Sequence, residues 1–233
     1  MKVERFWLAG YGLILLLTLL VARVTSRAVT AMVENTPIPR ENSIVIDAGH
    51  GGVDGGATSC TGILESQFNL QIALRLEALF RLLGHDTRMI RREDISVYTK
   101  GETIAQKKAS DLKQRVKLVE ETENAVLLSI HQNQFSDGKY WGGQVFYADT
   151  PGSEAMARQL QAAFVTHLNP GSRRREKKSS GVYLMEHVSC PAVLIECGFL
   201  STPEEEGRLR SADYQKKLCC VIASTVVQFL SNT

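Results

Sequence analysis

Three short apolar runs, each breaking off at an ionisable side chain, constrain this chain more than any other feature. Ile44-Val-Ile46 leads through Asp47-Ala-Gly into His50, Ala125-Val-Leu-Leu-Ser-Ile130 into His131, and Ala192-Val-Leu-Ile195 into Glu196. Aliphatic runs of strand length without polar alternation are the pattern of strands covered on both faces, which is how parallel sheets sit inside α/β domains. After the first run, Phe68, Ile72, Leu76, Leu79, Phe80 and Leu83 recur at helical spacing, opened by Glu65 and closed by Gly84. A strand over 86–91 follows, completing a strand, helix, strand unit of a parallel sheet. Further on, the pattern predicts a charged helix over 103–121 and a strand over 144–148 after the turn carrying Tyr140 and Trp141. It then predicts a helix after Thr150-Pro151, a short strand over 182–185, a capped acidic helix start at Thr202-Pro203, and a final helix over 213–230. The expected fold is a single α/β domain over 43–233, a mostly parallel twisted sheet of about six strands flanked by helices.

In such a sheet, strand carboxyl ends and the N-termini of the following helices share one edge, where ligands bind. His50, His131 and Glu196 end strands and Glu65 opens a helix, so all four can converge there. Gly49, Gly51 and Gly52 around His50 remove side-chain bulk and let a ligand approach the backbone. Two neutral imidazoles and one carboxylate form a common catalytic zinc set with an open fourth position. The remaining carboxylate can then collect a proton from water and return it to a leaving nitrogen. Glu196 suits that role, since a glutamate after Val-Leu-Ile has little structural reason to end a buried strand. Each residue also has a plainer reading: Glu65 as a helix N-terminal charge, His131 as a hydrogen-bonded strand-end histidine, Glu196 as the partner of an arginine. Cys197 raises a cysteine–histidine hydrolase as a rival, but the residue next to Glu196 on a strand points to the opposite face.

Composition narrows the rest only slightly. A net charge of +2 over 233 residues, with 22% charged residues, excludes wholesale nucleic-acid binding. The basic run Arg173-Arg-Arg-Glu-Lys-Lys178 reads first as a solvated loop and second as a site for an anionic partner. Five cysteines with no paired spacing do not make a disulfide framework. At the N-terminus, Lys2 and Arg5 precede the uncharged run Phe6–Ala22, so residues 1–31 read as a signal peptide or membrane anchor. Its 17 residues lie between the ~7–15 of a signal core and the ~17–25 of a spanning helix. Residues 32–42 read as a linker. These features place the domain outside the cytoplasm, with the N-terminal segment as its link to the membrane.

The strings Ile46-Asp-Ala-Gly-His50-Gly-Gly52, Glu65 with Asn69, Ser129-Ile-His131-Gln-Asn133 and Val193-Leu-Ile-Glu196-Cys-Gly-Phe-Leu-Ser201 together resemble the zinc-dependent N-acetylmuramoyl-L-alanine amidases of the amidase-3 type. The resemblance covers about Ser43 to Leu230. It implies that His50, Glu65 and His131 bind Zn2+ and that Glu196 is the catalytic carboxylate. The substrate would be peptidoglycan, glycan strands bearing stem peptides, cut between N-acetylmuramic acid and L-alanine. Within the family the chain looks most like the germination-specific amidases of endospore formers. That likeness implies work on spore-cortex peptidoglycan in the intermembrane space of the developing spore. A separate deacetylase would complete muramic-δ-lactam, and a lipoprotein partner occurs in some relatives. Where many relatives approach the second histidine strand through Ala-Asn, this chain has Thr122-Glu-Asn124. Two other readings stay open on sequence: a zinc peptidase cutting within stem peptides, and a non-catalytic wall-binding protein stabilised by its metal.

Overall fold

The computed structural model describes Arg23, residues 42–135 and residues 140–232. Apart from Arg23, the expected leader over 1–31 lies outside the described residues, as does the linker over 32–42 except Asn42; among the described residues no helix is long and apolar enough to cross a membrane.

Residues 42–232 alternate strands and helices: β1 (Ser43–Ala48), α1 (Glu65–Leu82), β2 (Thr87–Met89), α2 (Ile104–Glu120), β3 (Ala125–Asn133), β4 (Gln144–Tyr147), α3 (Ser153–His167), β5 (Lys177–Lys178), α4 (Tyr183–His187), β6 (Ala192–Phe199), α5 (Pro203–Arg210) and α6 (Ala212–Ser231). The sheet order is β2-β1-β3-β6-β4-β5. The first four run parallel, and β4 meets β6 antiparallel. The mostly parallel six-stranded expectation therefore holds, with an antiparallel flank at one side.

The apolar runs are continuous because both faces of the sheet are covered. Ile44, Ile46, Val126, Leu128, Ile130, Val193 and Ile195 face a core shared with α1, α3 and α6, while Val45, Leu127 and Leu194 face a second core with α2 and α4. Gly84 ends α1 as expected, with φ +87° in the left-handed region just past the helix. The helix predicted over 103–121 starts with a capping box: Gln106 N–H donates to Thr103 Oγ1 and Thr103 N–H donates to Gln106 Oε1.

Three local expectations fail. Residues 182–185 are not a strand: α4 forms there, since Leu184, Met185 and Glu186 favour helix and the two apolar ones seat in the second core. The basic run is not all loop, because Lys177 and Lys178 pair with Phe146 and Tyr147 as a charged edge strand. Thr202 makes no side-chain cap, and α5 relies on Pro203 at its first turn and on Glu204, Glu205 and Glu206 against the helix dipole.

Candidate metal centre

β1 leaves the sheet toward β2 on one side, and the chain returns through β3 on the other. The carboxyl ends of β1 and β3 therefore flank the crevice where an open α/β sheet takes its ligand. His50 and His131 emerge at those two ends with ring centroids 4.9 Å apart, nearly perpendicular. Glu65, the first residue of α1, lies between them: Oε2 is 3.2 Å from His50 Nε2 and Oε1 is 3.0 Å from His131 Nδ1. One ligand atom from each of the three lies within 4.8 Å of the others, a spacing that lets them share one ion.

The surroundings fix this geometry. Glu65 does not serve its own helix end. Its carboxylate accepts from the N–H groups of Ala57 (3.0 Å) and Gln132 (3.1 Å) and from Asn69 Nδ2 (3.2 Å). Burial works against its charge, but the bonds to His131 and His50 outweigh that and hold its pKa well below the usual carboxylate range. Behind His50, Asp54 Oδ2 sits 3.0 Å from Nδ1, the carboxylate–imidazole arrangement that orients metal-binding histidines. The bond to His50 lowers the Asp54 pKa, helped by Lys108 at 3.1 Å. Burial opposes charge on His50, yet Asp54 and Glu65 together lift its pKa to about 9. Asp54, Lys108 and Arg115 carry no sequence motif: Lys108 and Arg115 are found only by pairing across the fold, whereas Asp54 lies four residues after His50, a local spacing that could have pointed to it.

The loop that presents His50 is bound in place. His50 has φ +60°, a costly conformation for a residue with a side chain, and Arg115 Nη2 donates to its carbonyl at 2.7 Å. Arg115 also reaches Asp47, the Ala48 carbonyl (3.1 Å) and Asp111 (2.6 Å), so one buried guanidinium ties β1, its loop and α2 together. Arg91 donates to the carbonyls of Ala48 (2.8 Å), Gly49 (3.0 Å) and Ser66 (2.9 Å) from the other side. Glycine is required at 49 because a Cβ there would come within 2.2 Å of His131 Nε2.

Glu196 is the Cα partner of His131 across β3 and β6. Among the described residues it pairs with no arginine. Its Oε2 is shielded from solvent and has no hydrogen-bond partner, although the residue as a whole is only partly buried. Burial, with Glu65 adding to it and His131 opposing it, raises its pKa to about 7. A carboxyl that titrates near neutrality beside a cation-ready cluster is suited to moving protons. Cys197 turns into the apolar core as the alternation required, and burial pushes its thiol far up, which removes the cysteine-hydrolase rival.

A doubly covered α/β sheet with a His-Glu-His cluster at its switch point and an unpartnered carboxyl one strand away is the arrangement that a metal-assisted hydrolase would need. The comparisons name the family. The Amidase_3 model, N-acetylmuramoyl-L-alanine amidase, matches residues 44–228, and the chain belongs to that family. The germination-specific N-acetylmuramoyl-L-alanine amidase of Bacillus subtilis is 34% identical over 191 residues, covering 81% of this chain and 80% of that protein. The CwlD amidase of Clostridioides difficile, solved in complex with the GerS lipoprotein, superposes with a TM-score of 0.79 at 32% identity, covering 83% of this chain and all of that one. The amidase LytC of Bacillus subtilis is 28% identical over 80% of this chain, which spans only 35% of LytC.

Proposed function

We propose that this chain hydrolyses the amide joining the lactyl group of N-acetylmuramic acid to the L-alanine of the stem peptide, with zinc held by His50, Glu65 and His131. The donor set fits the ion: two imidazoles and a carboxylate converge, and Asp54 backs one of the rings. When bound, the ion supplies Lewis acidity toward the amide carbonyl. Glu65 is fixed as a charged ligand by three N–H donors, and Asp54 with Arg115 sets the ring and backbone of His50. Glu196 is the catalytic carboxylate. Its unpartnered Oε2 takes the proton of the attacking water and delivers it to the departing nitrogen, a task that needs a pKa near the working pH. That orphaned carboxyl, one strand from the cluster, is the observation that carries the reading.

The likeness to a germination-specific amidase supports a role in stripping stem peptides from spore-cortex peptidoglycan. A separate deacetylase would then act on the bared muramic acid to complete the δ-lactam. The relative solved with a lipoprotein supports a lipoprotein partner here as well. The domain would work in the intermembrane space of the developing spore, exported or anchored by residues 1–31.

Mass spectrometry of digested cortex muropeptides tests the bond. Loss of the whole stem, leaving unsubstituted glycan, is expected. Stems that are merely shortened would make the protein a peptidase, and binding without any cleavage would make it a wall-binding protein.

A further inference from the structure

We propose that the arginine-rich cavity beside β4 is a subsite for the free carboxylates of the stem peptide. The basic run left unexplained by the metal centre builds it. The cavity holds about 600 Å³ and is lined by Trp141, Gln144, Arg173, Arg174, Arg175 and Lys177. Arg174 is the fixed member: Nε donates to the Trp141 carbonyl (2.9 Å), Nη1 to Gln144 Oε1 (3.2 Å), and the guanidinium lies over the Phe199 ring. Arg173, Arg175 and Lys177 are exposed and have no carboxylate partner among the described residues. The one acid in the lining, Glu176, is already spent on Arg158 at 3.1 Å. Three uncommitted cations around one concavity therefore await an anion, and guanidinium forks match carboxylates in particular.

Placement ties this cavity to the reaction centre. His131, Glu196 and Gln144 are register partners on three adjacent strands. At ~4.8 Å per strand, Gln144 lies about 10 Å from His131. An extended peptide advances ~3.3–3.6 Å per residue, so the residues two and three beyond the scissile bond fall at about 7–11 Å, level with Gln144 in the cavity wall. The chain itself joins the two places: Arg173 to Lys177 wall the cavity, and Gly181, Val182 and Tyr183, a few residues on, wall the cleft beside His50 and His131. Trp141, 42% exposed at the rim, offers a flat apolar face to the peptide stem.

This inference rests on the amidase reading, and its test separates the two. The full chain and its triple variant Arg173→Gln/Arg175→Gln/Lys177→Gln are assayed on two muropeptides that differ only in whether the stem carboxylates are free or amidated. The unaltered chain should prefer the free carboxylates by about tenfold or more, mainly through KM, and in the triple variant the ratio should fall to about one. In parallel, calorimetry follows binding of the free stem tripeptide to full-length Glu196→Gln with and without the three changes, and binding should need the cations. If the unaltered chain cleaves neither muropeptide, the amidase reading fails and the tripeptide titration alone decides the subsite. A preference that survives in the triple variant, no preference in the unaltered chain, or capture of a phosphodiester wall polymer without tripeptide binding would overturn the assignment.

Discussion

β1 and β6 each carry an acid, Asp47 and Glu196, and the two acids meet opposite surroundings. Asp47 is fully buried but surrounded: Arg115 forms an ion pair with it and Ser129 donates to it at 2.6 Å. Burial alone would raise its pKa, and Arg115, His131 and the Ser129 bond reverse that and lower it. Glu196 has no such company and is pushed up to about 7. One carboxyl is a structural charge and the other is held ready to change charge. What separates them is not depth but whether the fold provides a donor.

Breaking the contrast at Glu196 should have the largest effect. Glu196→Gln is expected to lower kcat by about 10²–10⁴-fold while the fold and zinc content stay intact, read by muropeptide release and metal analysis. Because the folded carboxyl titrates near 7 and the unfolded one near 4.5, the wild-type chain carries a penalty that is absent below about pH 4.5 and complete above about 7. The metal-free variant should therefore be more stable than wild type at pH 8, on the order of 2 kcal/mol, with the gap closing at pH 4. Equal stability at both pH values would place a donor on Glu196 that the contrast denies.

Arg115→Met attacks the other side. It strands Asp47 and Asp111 and releases the His50 carbonyl, and should cost about 3–5 kcal/mol in denaturant unfolding and, on the proposed reading, much of the affinity for zinc. Asp47→Asn in the same chain should recover part of that loss. Since the folded Asp47 titrates below its ordinary 3.8, its stabilisation is complete above about pH 4 and fades as pH falls through the lowered value. Asp47→Asn alone should thus flatten the acid limb of the stability profile.

Asp54→Asn gives the smallest change, about a 10–100-fold weaker zinc affinity by chelator competition, because the ring of His50 keeps its backbone anchor and loses only its orienting charge.

The sequence made the strand ends legible because buried parallel strands write themselves as aliphatic runs, and a charged residue closing such a run has few structural excuses. His50, His131 and Glu196 are legible that way and Glu65 as the opener of the next helix; the first two gather with Glu65, and Glu196 is the register partner of His131. Arg115 is not legible, since its partner Asp47 lies 68 residues away and no local pattern announces a contact of that span. Residues 182–185 misled because one β-branched residue beside an aromatic suggests a strand, whereas the second core decides the conformation. The two-residue β5 is too short to leave any period.

β6 is the strand where the parallel and antiparallel parts of the sheet join, hydrogen-bonded along both edges, to β3 and to β4. Glu196 thus stands on a backbone that cannot swing, slide or peel without tearing two ladders at once. On the proposed reading, whatever reorganisation a turnover demands must come from the substrate and from the surface loops around it, while the carboxyl assigned to proton exchange stays put between one cycle and the next.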